Sequence, residues 1–186
     1  MSGHGHIDPS NRKVALLISV LAVVLAFSET LGKGAQTHGL SYNVEASNLW
    51  AFYQAKTIRM TTLRTAAETA ELDLPSLPAA KRDAASKRIA DWRSTAARYD
   101  SEPETGEGRK ELSARAKAAE AKRDRALAAY HQYEVASALV QIAIVLASAE
   151  VITGVAALVW ISGLLGLGGV GFCLIGFFAP TALHLF

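Results

Sequence analysis

Two carboxylates stand where carboxylates are costly. Glu29 lies one turn from the end of an apolar run and Glu150 lies close to the end of another. Ionisable groups in such runs are rare and mark either a structural charge pair or a proton or ion path. Lys33 follows Glu29 by four residues, the spacing of an ion pair on one helix face. Arg12 and Lys13 precede the first run, and antiparallel packing would bring them level with Glu150 as its charge partners. The two carboxylates would then be about 20 Å apart, too far to share a proton. A structural pair is the simpler reading of each, a proton relay the sharper one.

The other candidates for chemistry are few. The histidines are His4, His6, His38, His131 and His184. His4-Gly5-His6 offers two ligands, which do not close a metal site. There is no HExxH, no GxSxG and no phosphate-binding GxxxxGK. No set of residues suggests a nucleophile with its base. The single cysteine, Cys173, lies in an apolar stretch and reads as a small packing residue. The expectation is a protein that is not an enzyme and has no metal and no cofactor.

The elements around these residues follow from where charge is absent. Arg12 and Lys13 are the only Lys or Arg before residue 14, and none follows Arg125. From Val135 to Phe186 the only charged side chain of the Asp, Glu, Lys and Arg types is Glu150. Such a stretch suits a bilayer better than water. Val14 to Leu31 would make a helix of about 27 Å, close to a hydrocarbon core of roughly 30 Å. A signal peptide is the competing reading, but no small-x-small cleavage site follows the run. Val135 to Ala182 would measure about 72 Å as one helix and must fold back. Thr153-Gly154 and Trp160 to Gly163 are the candidate breaks. A flexible polar tail, residues 1–13, thus precedes a first span at 14–31. A second span lies at 135–153, a third at 158–180, and a short tail at 181–186. Tyr130, His131 and Tyr133 suit the headgroup zone before the second span.

In the third span small residues recur at steps of four and three: Ser162, Gly166, Gly169, Cys173, Gly176 and Pro180. They form one smooth stripe where another backbone can come close. The partner is either the other two spans of the same chain or a second subunit.

The region 32–134 carries both signs of charge, interspersed, and Pro and Gly cut it into pieces. Leu49, Tyr53, Lys56, Met60, Leu63, Ala67, Ala70 and Leu74 alternate by four and three. So do Ala85, Ile89, Trp92, Ala96 and Tyr99, and so do Leu112, Ala116, Ala119, Arg123, Ala126, Tyr130 and Tyr133. The last series continues in phase through Ser137, Val140, Ile144, Ala147 and Val151, which predicts one helix of about 65 Å. The spacing predicts an all-α membrane protein with three transmembrane helices and an extramembrane antiparallel, coiled-coil-like bundle. Alanine-rich seams bury little area, so association between copies is expected. The net charge of +2 gives no case for nucleic acid.

The stretch Glu45 to Arg59, EASNLWAFYQAKTIR, is similar to the signature of a membrane protein family known as domain of unknown function 4337. The resemblance extends to the His-bearing tail, to Ala26-Phe-Ser-Glu-Thr-Leu31 and to Leu139 through Ser148. It implies a bacterial inner-membrane protein, with the tail cytoplasmic and the middle region outside. Counting Lys33, Lys122, Arg123 and Arg125 against Arg12 and Lys13 favours the opposite orientation. The basic turn that the family places between its last two spans is missing from Thr153 to Ser162. The resemblance brings no activity.

Physically, the signature begins an amphipathic helix that Ser41 or Asn43 would cap, with Glu45 in its first turn. Trp50, Phe52, Tyr53, Gln54 and Lys56 lie on it, either packed on the long helix that follows or touching headgroups or a protein partner. The resulting expectation is a self-associating scaffold or docking module in contact with membrane lipid. The alternative is a subunit of an oligomeric channel or transporter using the span glycines with Glu29 and Glu150.

Overall fold

The computed structural model describes residues 9–183, with side chains from Arg12 onward. His4, His6, His184 and the outer parts of both tails lie outside the described residues. Among the described residues the chain is helical, without strands: α1 (Pro9–Asp73), a 3-10 turn (Leu74–Ser76), α2 (Ala79–Asp100), α3 (Arg109–Thr153) and α4 (Ala157–Phe178).

Several expectations need correction. The tail is helical from Pro9, a residue suited to a first helical turn. No boundary falls near Gly32, Gly34, Ser41 or Asn43, because α1 runs through them as one helix of 65 residues. Isolated glycines cost a helix about 1 kcal/mol each without stopping it, and two of these serve close approach. A Cβ at Gly39 would lie 2.8 Å from Leu127 Cδ2, and one at Gly32 would lie 3.3 Å from Tyr133 Cβ.

The third correction concerns phase. α3 is one helix of 45 residues. Its most buried positions run Leu112, Ala116 and Ala119, then Tyr133, Ala136, Val140, Ala143 and Ala147. After Tyr133 they fall partly one residue ahead of the expected Ser137 and Ile144. There α3 packs on α4 as well as α1, and the centre of its covered face turns.

Two compact units divide the chain, Met1–Leu40 with Arg123–Phe186, and Ser41–Lys122. In the first, α1 and α3 are antiparallel, with Leu21 clustered on Val140 and Ala143. Gly154, in the left-handed region at φ 71°, ends α3, and its N–H reaches Glu150 O at 2.7 Å. α4 then returns along both helices. It stops at Phe178, short of the expected 180, because Pro180 disfavours helical geometry in the residue before it.

In the second unit, α2 lies antiparallel to the distal part of α1, where Arg93 pairs with Glu71. The start of α3 packs on Ala46 and Leu49 through Leu112, Ala116 and Ala119. α2 and α3 therefore follow one another along α1 rather than packing side by side as a three-helix bundle. α2 covers Ile89 and Ala96 and half-covers Ala85, Trp92 and Tyr99, the series read from spacing.

α1, α3 and α4 are each long and apolar enough to cross a membrane. Gly166 and Gly169 of α4 are the tightest glycine contacts between them. A Cβ at Gly169 would meet Val140 Cγ2 at 2.5 Å and Ala136 O at 3.1 Å, whereas one at Gly171 meets nothing within 4 Å. Gly169→Ala should therefore cost about 1–3 kcal/mol by overpacking. Gly171→Ala should leave the thermal midpoint unchanged or raise it. Equal midpoints for the two variants would contradict this packing.

Candidate functional site

The signature helix converges with the α2–α3 junction on a cluster of cations and rings. Lys56 is 6% exposed on the seam of α1. Its Nζ lies 5.3 Å from the Phe52 ring centre, 5.0 Å from that of Tyr99, and 3.6 Å from Glu107 Oε2. Its methylene stem fills a position that would otherwise need an aliphatic residue, while its head is drawn to ring faces and a carboxylate.

Arg109 opens α3 beside it. The guanidinium lies over the Tyr53 ring at 4.9 Å and donates to Tyr53 Oη at 2.8 Å and to Asp100 Oδ1 at 3.1 Å. Trp50 stands edge-on to Tyr53 and donates from Nε1 to Glu120 Oε1 at 2.9 Å. Of the other signature residues, Glu45 and Gln54 are exposed.

The loop that brings Arg109 here is clamped by Glu111. Its carboxylate accepts from the Ser101 hydroxyl at 2.8 Å and from the Glu102 amide at 3.2 Å. Its own amide N–H, then the Ser101 hydroxyl, hold this carboxyl below the usual carboxylate value. Glu102 is lowered likewise, first by its hydrogen bond from Arg98. Gly108 has to be glycine, since a Cβ there would run into Glu111 Oε2, the Glu102 amide and Ser101 Cα.

Arg109, Asp100, Glu107, Glu111 and Glu120 belong to this cluster but were not singled out in the sequence, and Tyr99 was read there only as a position in the α2 series. A usable signal existed for Arg109, because a cation in the first turn of a helix opposes the dipole and calls for a tertiary partner.

The charges of the apolar helices are placed differently. Glu29 Oε1 accepts from Gln141 Nε2 at 3.4 Å. This sets Glu29 two and a half turns of α3, about 14 Å, from Glu150, nearer than expected but still no dyad. Among the described residues neither Arg12, Lys13 nor Lys33 forms an ion pair, so the pairings of Glu29 with Lys33 and of Glu150 with Arg12 or Lys13 are absent there. Glu150 Oε2 is buried and has no hydrogen-bond partner among the described residues.

The stripe of small residues on α4 faces the chain's own helices. Ser162 donates to Ala143 O at 2.7 Å, and Gly166 lies under Leu21. Gly169 lies at Val140, Cys173 Sγ is 3.0 Å from Ser28 Oγ, and Gly176 lies against Tyr133 and Gln132. Among the described residues no group of three or more His, Cys, Asp or Glu could hold a metal ion.

Two predictions follow from the cluster. Lys56→Ala leaves a cavity and should cost about 2–3 kcal/mol, whereas Lys56→Met fills it and should cost under about 1.5 kcal/mol. An equal cost for both would assign the Lys56 charge itself an essential role. The carboxyls of Glu111 and Glu102 titrate below their ordinary value of 4.5 when folded. The stability they add is present above that value and is lost as pH falls through their lower folded values. Thermal midpoints should drop across that acid range, and Glu111→Gln should flatten the drop.

No curated protein and no solved structure matches the chain. A family model described as Domain of unknown function (DUF4337) matches residues 10–179. That match spans the signature helix, the cation–ring cluster and all three long apolar helices, and the chain belongs to this family.

Proposed function

We propose that the protein is a multi-pass component of a bacterial inner membrane, crossed by α1, α3 and α4. In this reading it acts without catalysis, as a self-associating scaffold or docking module. What supports the membrane reading is the outward face of the first unit. Leu16, Val20, Phe27, Val145, Trp160, Leu164, Leu167 and Phe177 are all more than half exposed. Water would penalise so continuous an apolar face, while hydrocarbon does not. The polar side chains on these helices fit the same medium. Ser19, Thr30, Ser148 and Thr153 each donate to the carbonyl four residues back, at 2.7–2.9 Å, so none of these four hydroxyl donors needs water.

Self-association is supported by a second face of α1. Opposite the seam that meets α2 and α3, Val44, Ser47, Ala51, Ile58, Thr62, Thr65, Thr69 and Leu72 recur mostly at steps of three and four. All are exposed, and none carries a charge. A charge-free stripe of this spacing suits another helix. Copies anchored in one bilayer present it side by side, at high effective concentration. A pore subunit draws less support, because the chain's own helices cover Gly166, Gly169 and Gly176. The resemblance supports a cytoplasmic tail and an external middle region.

Carbonate washing should leave the full chain in the membrane pellet. In a Cys173→Ala background, Thr62→Cys and Thr69→Cys should oxidise to cross-linked dimers in native membranes, and Lys81→Cys on α2 should not. Monomer alone at every position would remove the scaffold reading. Labelling of Lys81→Cys by an impermeant maleimide in intact cells tests the orientation.

A further inference from the structure

The geometry points to a binding site for one anionic phospholipid on the first unit, its acyl chain in the groove between α1 and α4 and its phosphate at Arg12 and Lys13. This rests on the membrane reading above and adds to it a specific ligand. The groove holds about 440 Å³, within the range of small-molecule sites. Leu17, Val20 and Val24 line it from α1, and Trp160, Gly163 and Leu167 line it from α4. Gly163 leaves the floor open, since a Cβ there would meet nothing within 4 Å. A wall of aliphatic side chains with one indole suits a hydrocarbon chain.

The charge at one end selects the headgroup. Lys13, Leu17, Val20 and Val24 are spaced by four, three and four, so the groove face of α1 runs straight down to Lys13. Arg12 is beside it, and both side chains are exposed. Because α1 and α3 are antiparallel, this end is also where Gly154 turns α3 into α4. Trp160 stands there one turn into α4, 78% exposed, with an amphipathic ring suited to the headgroup level. The nearest acid on the neighbouring helix, Glu150, is not among the groove's lining residues, and its Oε2 is buried. Two cations above an acyl groove favour a phosphodiester with net negative charge over a zwitterion, whose ammonium they repel.

The test uses the full chain in mild detergent, with phosphatidylglycerol and phosphatidylcholine of identical acyl chains in competition, read by native mass spectrometry. The wild type should retain phosphatidylglycerol about ten- to thirty-fold over phosphatidylcholine. Gly163→Leu should lose both lipids while melting as the wild type does. Arg12→Gln with Lys13→Gln should keep a bound lipid without preference. Equal retention of the two lipids by the wild type, or undiminished phosphatidylglycerol on Gly163→Leu, would overturn the site. Carbonate washing separates the two failures. A chain released from membranes takes the membrane reading down with the site, whereas a chain that stays in the pellet but shows no preference takes down the site alone.

Discussion

The backbones of α1 and α3 come close where α1 has no side chain to interpose. At Gly39 the neighbour is Leu127 and at Gly32 it is Tyr133. Each glycine weakens its helix by about 1 kcal/mol relative to alanine. The contact offsets that loss and also sets the register, because α3 can slide along α1 only by pushing Leu127 or Tyr133 into a residue with a Cβ. With that register set, Leu21 meets Val140 and Ala143, and the slot left for α4 is as narrow as Ser162, Gly166 and Gly169 allow.

Polar side chains in the first unit then divide by depth. The outward-facing hydroxyls of Ser19, Thr30, Ser148 and Thr153 are satisfied on their own helix. Those facing inward join helices: Ser162 donates to α3, Ser28 contacts Cys173, and Gln132 donates to Leu183 O at 3.0 Å. The Gln132 bond holds the chain after α4 against α3, at the end away from Gly154. Among the described residues the buried acceptors Gln132 Oε1 and Glu150 Oε2 have no hydrogen-bond partner. A buried carboxylate oxygen without a donor is costly, and Glu150 stands in a stretch, Val135 to Phe186, that holds no other Asp, Glu, Lys or Arg.

Helix content and the covered faces were legible because their signals are local. The spacing of Ala85 through Tyr99, and the glycine-free run that became α3, needed only the 3.6-residue period. The missing boundary near Ser41 and the turn of the α3 face after Tyr133 were not legible, because each depends on a neighbour. A glycine reads as a stop unless the opposing Leu127 is known, and the covered face of α3 shifts only where α4 arrives. The cation–ring cluster was half legible. Trp50, Phe52, Tyr53 and Lys56 share one stretch, but Tyr99 comes from the end of α2, and Glu107 and Arg109 reach them by way of a loop whose path is set by Gly108 and Glu111.

That cluster also explains why a lysine can sit on a seam of small residues. Lys56 and Arg109 tie the end of α2 and the start of α3 to adjacent turns of α1, through Phe52, Tyr53 and Tyr99. Ties on successive turns of one face hold a helix against rotation about its axis. Thr62, Thr65 and Thr69 lie on the far side of the helical wheel from Met60 and Ala67, so fixing the covered seam also fixes the direction in which the threonines point. A surface already held still loses less conformational entropy when it is covered than one that must first be ordered. On this argument the signature stretch would act at a distance from the proposed self-association, and loosening Lys56 or Arg109 would weaken that proposed contact without altering a single residue on the threonine face.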